Sequence, residues 1–340
     1  MINSIVAEDI DFIYSQLKIL TDIHKLNNSN IFITGGTGLF GKSILNTLIF
    51  LRKEINFNIY ILTRNKEKFL ISYPQYNLNF IKYIEGDIRT FNIQDNINFD
   101  YIIHAATPAS AKLEKENPDE MYSIILDGTK NIINLSKKLE IKKLLFTSSG
   151  AVYGKQYKHI DSFKENYEGD PITYYGKGKK ISEELFIESN INVSIARSFA
   201  VVGPYLDLNI HFAMGNFIRD VINGDDIIIE GDGRPIRTYL YMADLVLWLL
   251  VILLESENNS IYNVGSNIPI SIFNLAEKVV SCVNNYNGKI KVLTEVDESV
   301  DPHRYIPNND KIKNELKLKE NYSLEESIKR TIKFYLNKGN

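Results

Sequence analysis

Residues 30–41 read N-I-F-I-T-G-G-T-G-L-F-G. A short apolar run ends in glycines spaced G-x-x-G-x-x-G, at Gly35, Gly38 and Gly41, and the stretch Lys42–Lys53 that follows reads as a helix. Between a first strand and a helix, such glycines permit a tight turn and let the backbone approach a pyrophosphate, which then rests at the helix N-terminus. The stretch predicts the first βα unit of a dinucleotide-binding fold, with Leu39 and Phe40 counted among the cofactor-binding residues.

The pattern continues outward. Further short strands are expected at Asn58–Thr63, Phe80–Glu85, Tyr101–His104, Lys143–Ser148 and Asn192–Arg197, with helices between several of them, including Asp119–Leu139 and Tyr174–Ser189. Strands of four to eight residues alternating with helices imply right-handed βαβ units. The predicted class is α/β: a Rossmann-type doubly wound parallel sheet with a smaller, mixed α/β C-terminal substrate-binding domain. In the C-terminal third, helices are expected near 213–222, 242–254, 271–284 and 323–337, and strands near 227–230, 261–264 and 289–293. Ile10, Ile13, Leu17, Leu20 and Ile23 recur at helical spacing and predict an added helix over 6–26, ahead of the main fold. The expected organisation is an N-terminal helix in 1–29, a dinucleotide-binding domain in 30–200 with about 240–265, and a substrate domain in 201–239 with 266–340.

Composition narrows the function. A net charge of −3 over 340 residues argues against a nucleic-acid binder that relies on bulk positive charge. The single cysteine, Cys282, rules out an internal disulfide, and the five histidines show no metal-ligand spacing, so no metal is expected. Glu8, Asp9, Asp11 and Lys18 interrupt any signal-peptide core, and Leu245–Leu254 is too short to span a bilayer. A cytoplasmic protein without a membrane partner is the expectation. Cofactor choice is read at the end of the second strand, where an acidic residue would bind ribose hydroxyls and repel a 2′-phosphate. Here Thr63 and Arg64 stand there, and a hydroxyl with a guanidinium suits a phosphate, which favours NADP over NAD.

Residues 173–180 read T-Y-Y-G-K-G-K-K. On a helix Tyr175 and Lys179 share a face, while Tyr174 and Lys177 form a weaker competing pair. A phenol ionises near pH 10, so proton exchange at neutral pH needs a neighbouring positive charge. Upstream, T-S-S-G-A-V-Y-G ends a strand at its carboxyl side, where ligands bind in open α/β sheets, and Ser149 there can hydrogen-bond a reacting oxygen.

With H-A-A-T at 104–107, G-D-I at 86–88, I-A-R-S-F-A-V-V-G-P at 195–204, G-D-G-R-P-I-R-T-Y-L-Y at 231–241 with Asp244, and Y-N-V-G-S at 262–266, the chain resembles the extended short-chain dehydrogenase/reductase family. More narrowly it is similar to the nucleotide-sugar epimerase/dehydratase branch. The resemblance implies Tyr175 as general acid/base, Lys179 as its partner and Ser149 as the substrate-oxygen ligand. It implies a cofactor lined by Gly35, Gly38, Gly41, Arg64, Asp87, Ile88, Ala105 and Ala106. For the substrate, a nucleoside-diphosphate sugar, it implies Thr107, Ser149, Gly150, Tyr175, Asn216, Arg237 and Arg304. It also implies a homodimer built from the tyrosine-bearing helix and the long helix before it.

Within the family, 4,6-dehydratases place Asp-Glu after the catalytic Ser/Thr, decarboxylases a glutamate and 3,5-epimerising enzymes a cysteine at the second position. Here Gly150 and Ala151 stand there, and neither moves a proton. His159, Asp161 and His211 are more remote substitutes. Bare hydride chemistry at carbon 4 is left: reduction of a 4-keto sugar nucleotide is favoured through Arg64, and 4-epimerisation is the alternative. The chain departs from the family pattern at Ala200 and Ile125, where asparagines are usual, and at Gly178, usually serine. A cofactor-sensing protein would have lost Tyr175 or Lys179, and a reductase of small carbonyls has no use for a diphosphate clamp.

Overall fold

The computed structural model describes residues 3–93, 96–107, 111–210 and 212–337. The chain begins with α1 (Ser4–Leu20), β1 (Ser29–Thr34), α2 (Leu39–Leu51), β2 (Phe57–Thr63), α3 (Lys66–Ser72), β3 (Ile81–Glu85) and β4 (Tyr101–His104). It continues through α4 (Ala111–Glu116), α5 (Pro118–Leu139), β5 (Lys143–Ser149), α6 (Tyr174–Glu188), β6 (Val193–Ser198), β7 (Val201–Val202), α7 (Ala213–Asn223) and β8 (Ile227–Ile229). The last part holds β9 (Ile236–Arg237), β10 (Leu240–Tyr241), α8 (Met242–Glu255), β11 (Ser260–Val264), β12 (Ile270–Ser271), α9 (Ile272–Ser281), β13 (Ile290–Val292), α10 (Asp310–Leu316) and α11 (Leu324–Leu336).

Seven strands form one parallel sheet in the order β3-β2-β1-β4-β5-β6-β11. Their residues alternate between two cores. Ile31, Ile33, Ile59, Ile61 and Ile103 face α2 and α8, whereas Phe32, Tyr60, Ile102, Leu144 and Phe146 face α5 and α6. A strand buried on both faces reads as a continuous apolar run, which is how β1 and β2 appear in the sequence. The order of connection reverses between β1 and β4, so the connections leaving their carboxyl ends turn to opposite faces of the sheet and open a crevice for a ligand.

Helix α8 is apolar all round, and every residue from Met242 to Leu253 is buried. Such a helix needs cover on its outer side. Helix α1 provides it: Ile10, Ile13 and Leu17 join the same core as α8 and α2. Asp9 is buried in the seam, accepting from Tyr241 Oη at 2.8 Å and from Arg330 Nη2 of α11 at 2.7 Å. Helix α1 thus straps α8 to α11. It also ends earlier than the spacing predicts. Thr21 is extended, and the Asp22 side chain accepts from His24 N, starting a separate 3₁₀ turn over Ile23–Leu26. Helix α9 stops at Ser281, short of the predicted 284, and α3, α4 and α10 were not foreseen, having six or seven residues each.

In the C-terminal part β8 pairs with β13, β9 with β12 and β10 with β7, and α7, α9 and α11 enclose a third core around Phe217, Ile218, Leu275 and Ile328. Among the described residues no helix is long and apolar enough to cross a membrane, and no cluster of His, Cys, Asp or Glu is placed to hold a metal ion.

Candidate active site

The glycine turn closes against the carboxyl end of β4. Gly35 has φ +74°, and a Cβ there would stand 2.5 Å from the carbonyl oxygen of Ala105. A Cβ on Gly41 would collide with the Gly35 carbonyl, so α2 starts as close to β1 as a backbone allows. Gly38 caps α2 without a side-chain acceptor, which leaves its first-turn amides for a ligand. Thr34 fastens the two strand ends, bonding His104 Nδ1 at 2.7 Å and accepting from Ala106 N at 3.2 Å. A cradle that excludes even a methyl group and presents uncapped helix amides fits the pyrophosphate of a dinucleotide. The segment Gly36–Ser43 also spells G-x-x-x-x-G-K-S, the nucleoside-triphosphate loop pattern. Lys42 argues against that use, since its ammonium donates to Tyr73 Oη at 3.1 Å and lies over the rings of Tyr73 and Tyr205.

At the end of β2, Thr63 is buried and accepts from Asn65 N, and Arg64 is exposed. Asp87 takes two bonds from the Arg89 guanidinium, both 2.8 Å, and one from Arg89 N. Those bonds, with Arg64 adding its charge, hold the Asp87 carboxyl down at about 2. Arg89 also meets Glu120 at 3.0 Å, so of the two arginines here it is Arg64 that faces solvent. Ile88 is buried beneath α5, where its side chain would meet any Cβ added to Gly128.

The sequence-predicted triplet comes together at the carboxyl end of β5. Lys179 is fully buried; its ammonium donates to Thr107 Oγ1 and to the Thr147 carbonyl, each at 2.7 Å, and stands 5.9 Å from the ring centroid of Tyr175. Burial pushes this ammonium down to about 7 against the pull of Glu183. Ser149 accepts from Ala151 N at 3.1 Å, and its hydroxyl is close enough to the phenols of Tyr175 and Tyr305 to oppose the rise of each. Burial raises the Tyr175 phenol; the serine opposes that, and the Glu114 carboxylate adds to it. The competing residues Tyr174 and Lys177 are exposed and face each other.

Three features escaped the sequence reading. Tyr305, in R-Y-I-P, packs at a tilt on Phe199 with ring centroids 4.6 Å apart and puts its phenol where a Gly150 side chain would begin, 2.5 Å from where a Cβ would stand. Gly150 is thus a filled position, and an acidic residue there would need the tyrosine to move. Behind the lysine, Glu183 pairs with Arg197 at 2.7 Å and accepts from Ser148 Oγ, while Arg197 also donates to Tyr153 Oη at 2.8 Å. One more turn of the Tyr175–Lys179 spacing leads to Glu183, a signal that the sequence carried. The third feature, Glu114, accepts from the backbone at the start of α6.

The expected substrate contacts are less uniform. Arg237 is half-buried, donates through Nη1 to the carbonyls of Ile236 and His303, and is lowered by burial. Arg304 has a buried Nε with no partner and a long bond from Nη2 to the Asp161 carbonyl. Asn216 sits on α7 and accepts from Arg219. Thr107, expected at the substrate, is turned to Lys179. His159 stacks on Tyr157 and is exposed, as is Asp161; His211 lies outside the described residues.

The chain is similar to known proteins over most of its length. The chain is 29% identical over 319 residues to UDP-glucuronic acid decarboxylase 1 of Arabidopsis thaliana, covering 91% of this chain and 70% of the relative. It is 31% identical over 253 residues to a putative UDP-glucose 4-epimerase of Methanocaldococcus jannaschii, covering 71% of this chain and 78% of that one. Its fold is that of the UDP-glucose 4-epimerase of Thermotoga maritima solved with UDP-glucose, with a TM-score of 0.79 at 22% identity, covering 92% of this chain and all of that one. The dTDP-glucose 4,6-dehydratase of Bacillus anthracis solved with NAD gives 0.77 at 19%, covering 91% and 97%. A sequence model of the NAD dependent epimerase/dehydratase family matches residues 31–265, more than half of the chain, and the chain belongs to that family.

Proposed function

We propose that the protein transfers hydride at carbon 4 of a nucleoside-diphosphate sugar, in the direction that reduces a 4-keto sugar nucleotide. The observation that carries this reading is the meeting of Ser149, Tyr175 and Lys179 beside a position, Gly150, that is packed shut by Tyr305 and Phe199. A bound nicotinamide supplies the hydride. Ser149 holds the carbonyl oxygen, Tyr175 gives it a proton, and Lys179, fixed by Thr107 and the Thr147 carbonyl, steadies the phenolate left behind. Ala151 has no proton to move, and burial keeps Tyr305 neutral, so the phenol beside Ser149 is no substitute for a carboxylate base. Arg237 and Arg304 fit a diphosphate, with donors left over from their backbone bonds.

The same residues serve a 4-epimerase, a reading favoured by the relative from Methanocaldococcus jannaschii. Incubation with UDP-, dTDP-, CDP- and GDP-sugars and their 4-keto-6-deoxy derivatives separates the two. Oxidation of added NADPH or NADH marks reduction, and exchange between two hexoses without it marks epimerisation. Release of water or carbon dioxide would overturn both.

NADP is the preferred cofactor in this proposal, because Arg64 is exposed at the end of β2 where no carboxylate stands. Arg64→Asp should weaken NADP relative to NAD by about 10- to 100-fold, the worth of one charge-assisted bond. Titration of both nucleotides by calorimetry reads the ratio, and an unchanged ratio would refute the assignment. The reading also includes a cytoplasmic homodimer paired through α5 and α6, whose outward residues Asp127, Lys130, Lys177 and Glu184 are exposed and of mixed sign. Light scattering that returns the mass of one chain would sink the dimer.

A further inference from the structure

The segment after β4 touches α6 twice. One contact, Thr107 on Lys179, is part of the reading above. The other comes from Glu114 on α4. The first amides of a helix have no partner inside it. In α6 these are Tyr174, Tyr175 and Gly176, and each is taken: Thr173 Oγ1 accepts from Gly176 N at 3.0 Å, while Glu114 accepts from Tyr174 N at 2.6 Å and from Tyr175 N at 3.2 Å. A threonine cap from the adjoining residue is ordinary; a carboxylate brought from another helix onto the amide of Tyr175 itself is not required by the cap alone.

The Glu114 charge therefore sits at the backbone of the residue whose phenol lies beside Ser149, and it adds to the rise of that phenol. Around Tyr175 stand Lys179 from its own helix, the Ser149 hydroxyl from the end of β5, the Tyr305 phenol with Arg237 beyond it, and Glu114 from α4. Lys179 in turn is faced by Glu183 and by His104, which burial keeps neutral. Among the described residues, Glu114 is the carboxylate whose charge bears on the Tyr175 phenol, and it is anchored at the amide of that same residue.

We propose that Glu114 is a positioning residue for proton transfer, fastening the first turn of α6 to the segment after β4 and biasing Tyr175 toward the neutral, proton-donating phenol. It rests on the reading of Tyr175 as the proton donor, and it favours ketone reduction, where that proton must be present at the start.

The test follows the tyrosine directly. The full chain is labelled with ¹³Cζ-tyrosine and titrated by NMR, alone and with NAD added; the resonance lost in Tyr175→Phe identifies Tyr175. Glu114→Gln keeps an oxygen that can accept from the helix amides and removes the charge. Its Tyr175 midpoint should fall by about half a pH unit or more, half a unit being the Coulomb effect of one charge several ångströms away in bulk water and burial enlarging it. A midpoint equal to that of the unaltered protein overturns the proposal. A purely structural cap would lower thermal stability in Glu114→Ala without moving the midpoint in Glu114→Gln. If instead Tyr175→Phe retains full turnover with the substrates above, the functional reading of Tyr175 fails while the midpoint comparison still stands.

Discussion

Tyr175→Phe should lower turnover by about 10²- to 10⁴-fold while leaving cofactor and nucleotide affinities nearly unchanged. The substitution deletes one hydroxyl from a half-buried ring and removes no packing atom. The Lys179 ammonium keeps its bonds to Thr107 and the Thr147 carbonyl, and α6 keeps its cap. What is lost is the proton source within reach of Ser149, which amounts to about 3–5 kcal/mol of barrier. Steady-state kinetics at several pH values check it, together with isothermal titration of NAD. A variant retaining a tenth or more of the native rate would remove Tyr175 from the chemistry. Tyr305 would then be the group to test, since its phenol reaches the same serine.

Glu183→Ala should cost about 3–5 kcal/mol of folding stability, read as a shift of the urea midpoint. The carboxylate is almost fully buried, as is the Arg197 guanidinium that it receives, and three contacts between them measure 2.7–3.1 Å. Removing the anion strands a cation whose other partners, Tyr153 Oη and the Glu165 carbonyl, carry no full charge. The expected loss comes from that stranded charge, not from the strength of the pair. A double change, Glu183→Leu with Arg197→Met, should therefore recover most of the stability. Equal destabilisation of the single and double variants would show instead that the site depends on shape. Turnover should fall in the single variant as well, because Lys179, one helical turn away, loses the charge that opposes its burial.

Much of this architecture was readable in the chain because it rests on local rules. The run from Asn30 to Gly41 contains its own strand, turn and helix start, and the apolar strands that follow have the length and spacing of βαβ units. Tyr175 and Lys179 were brought onto one face by a spacing of four, which any helix enforces. Legibility ended where a contact spans the sequence. Nothing near Gly150 announces that Tyr305 will occupy its side-chain space, and nothing near Tyr175 announces Glu114. The partner of α1 was also hidden: its apolar stripe predicted a buried face but not which surface it would meet. The clue was α8, whose sequence offers no polar side to water.

The strap formed by α1 has a consequence for the topology of the chain. Asn3 donates to the Phe334 carbonyl, and Arg330 reaches both Glu8 and Asp9, so the first and last helices lie side by side. Residues 3 and 334 are thus neighbours in space, and a short linker from residue 337 back to residue 3 would span little distance. Circular permutants opened in the exposed stretch 293–300 should retain the order of strands around the crevice, whereas trimming either end releases its partner at the other.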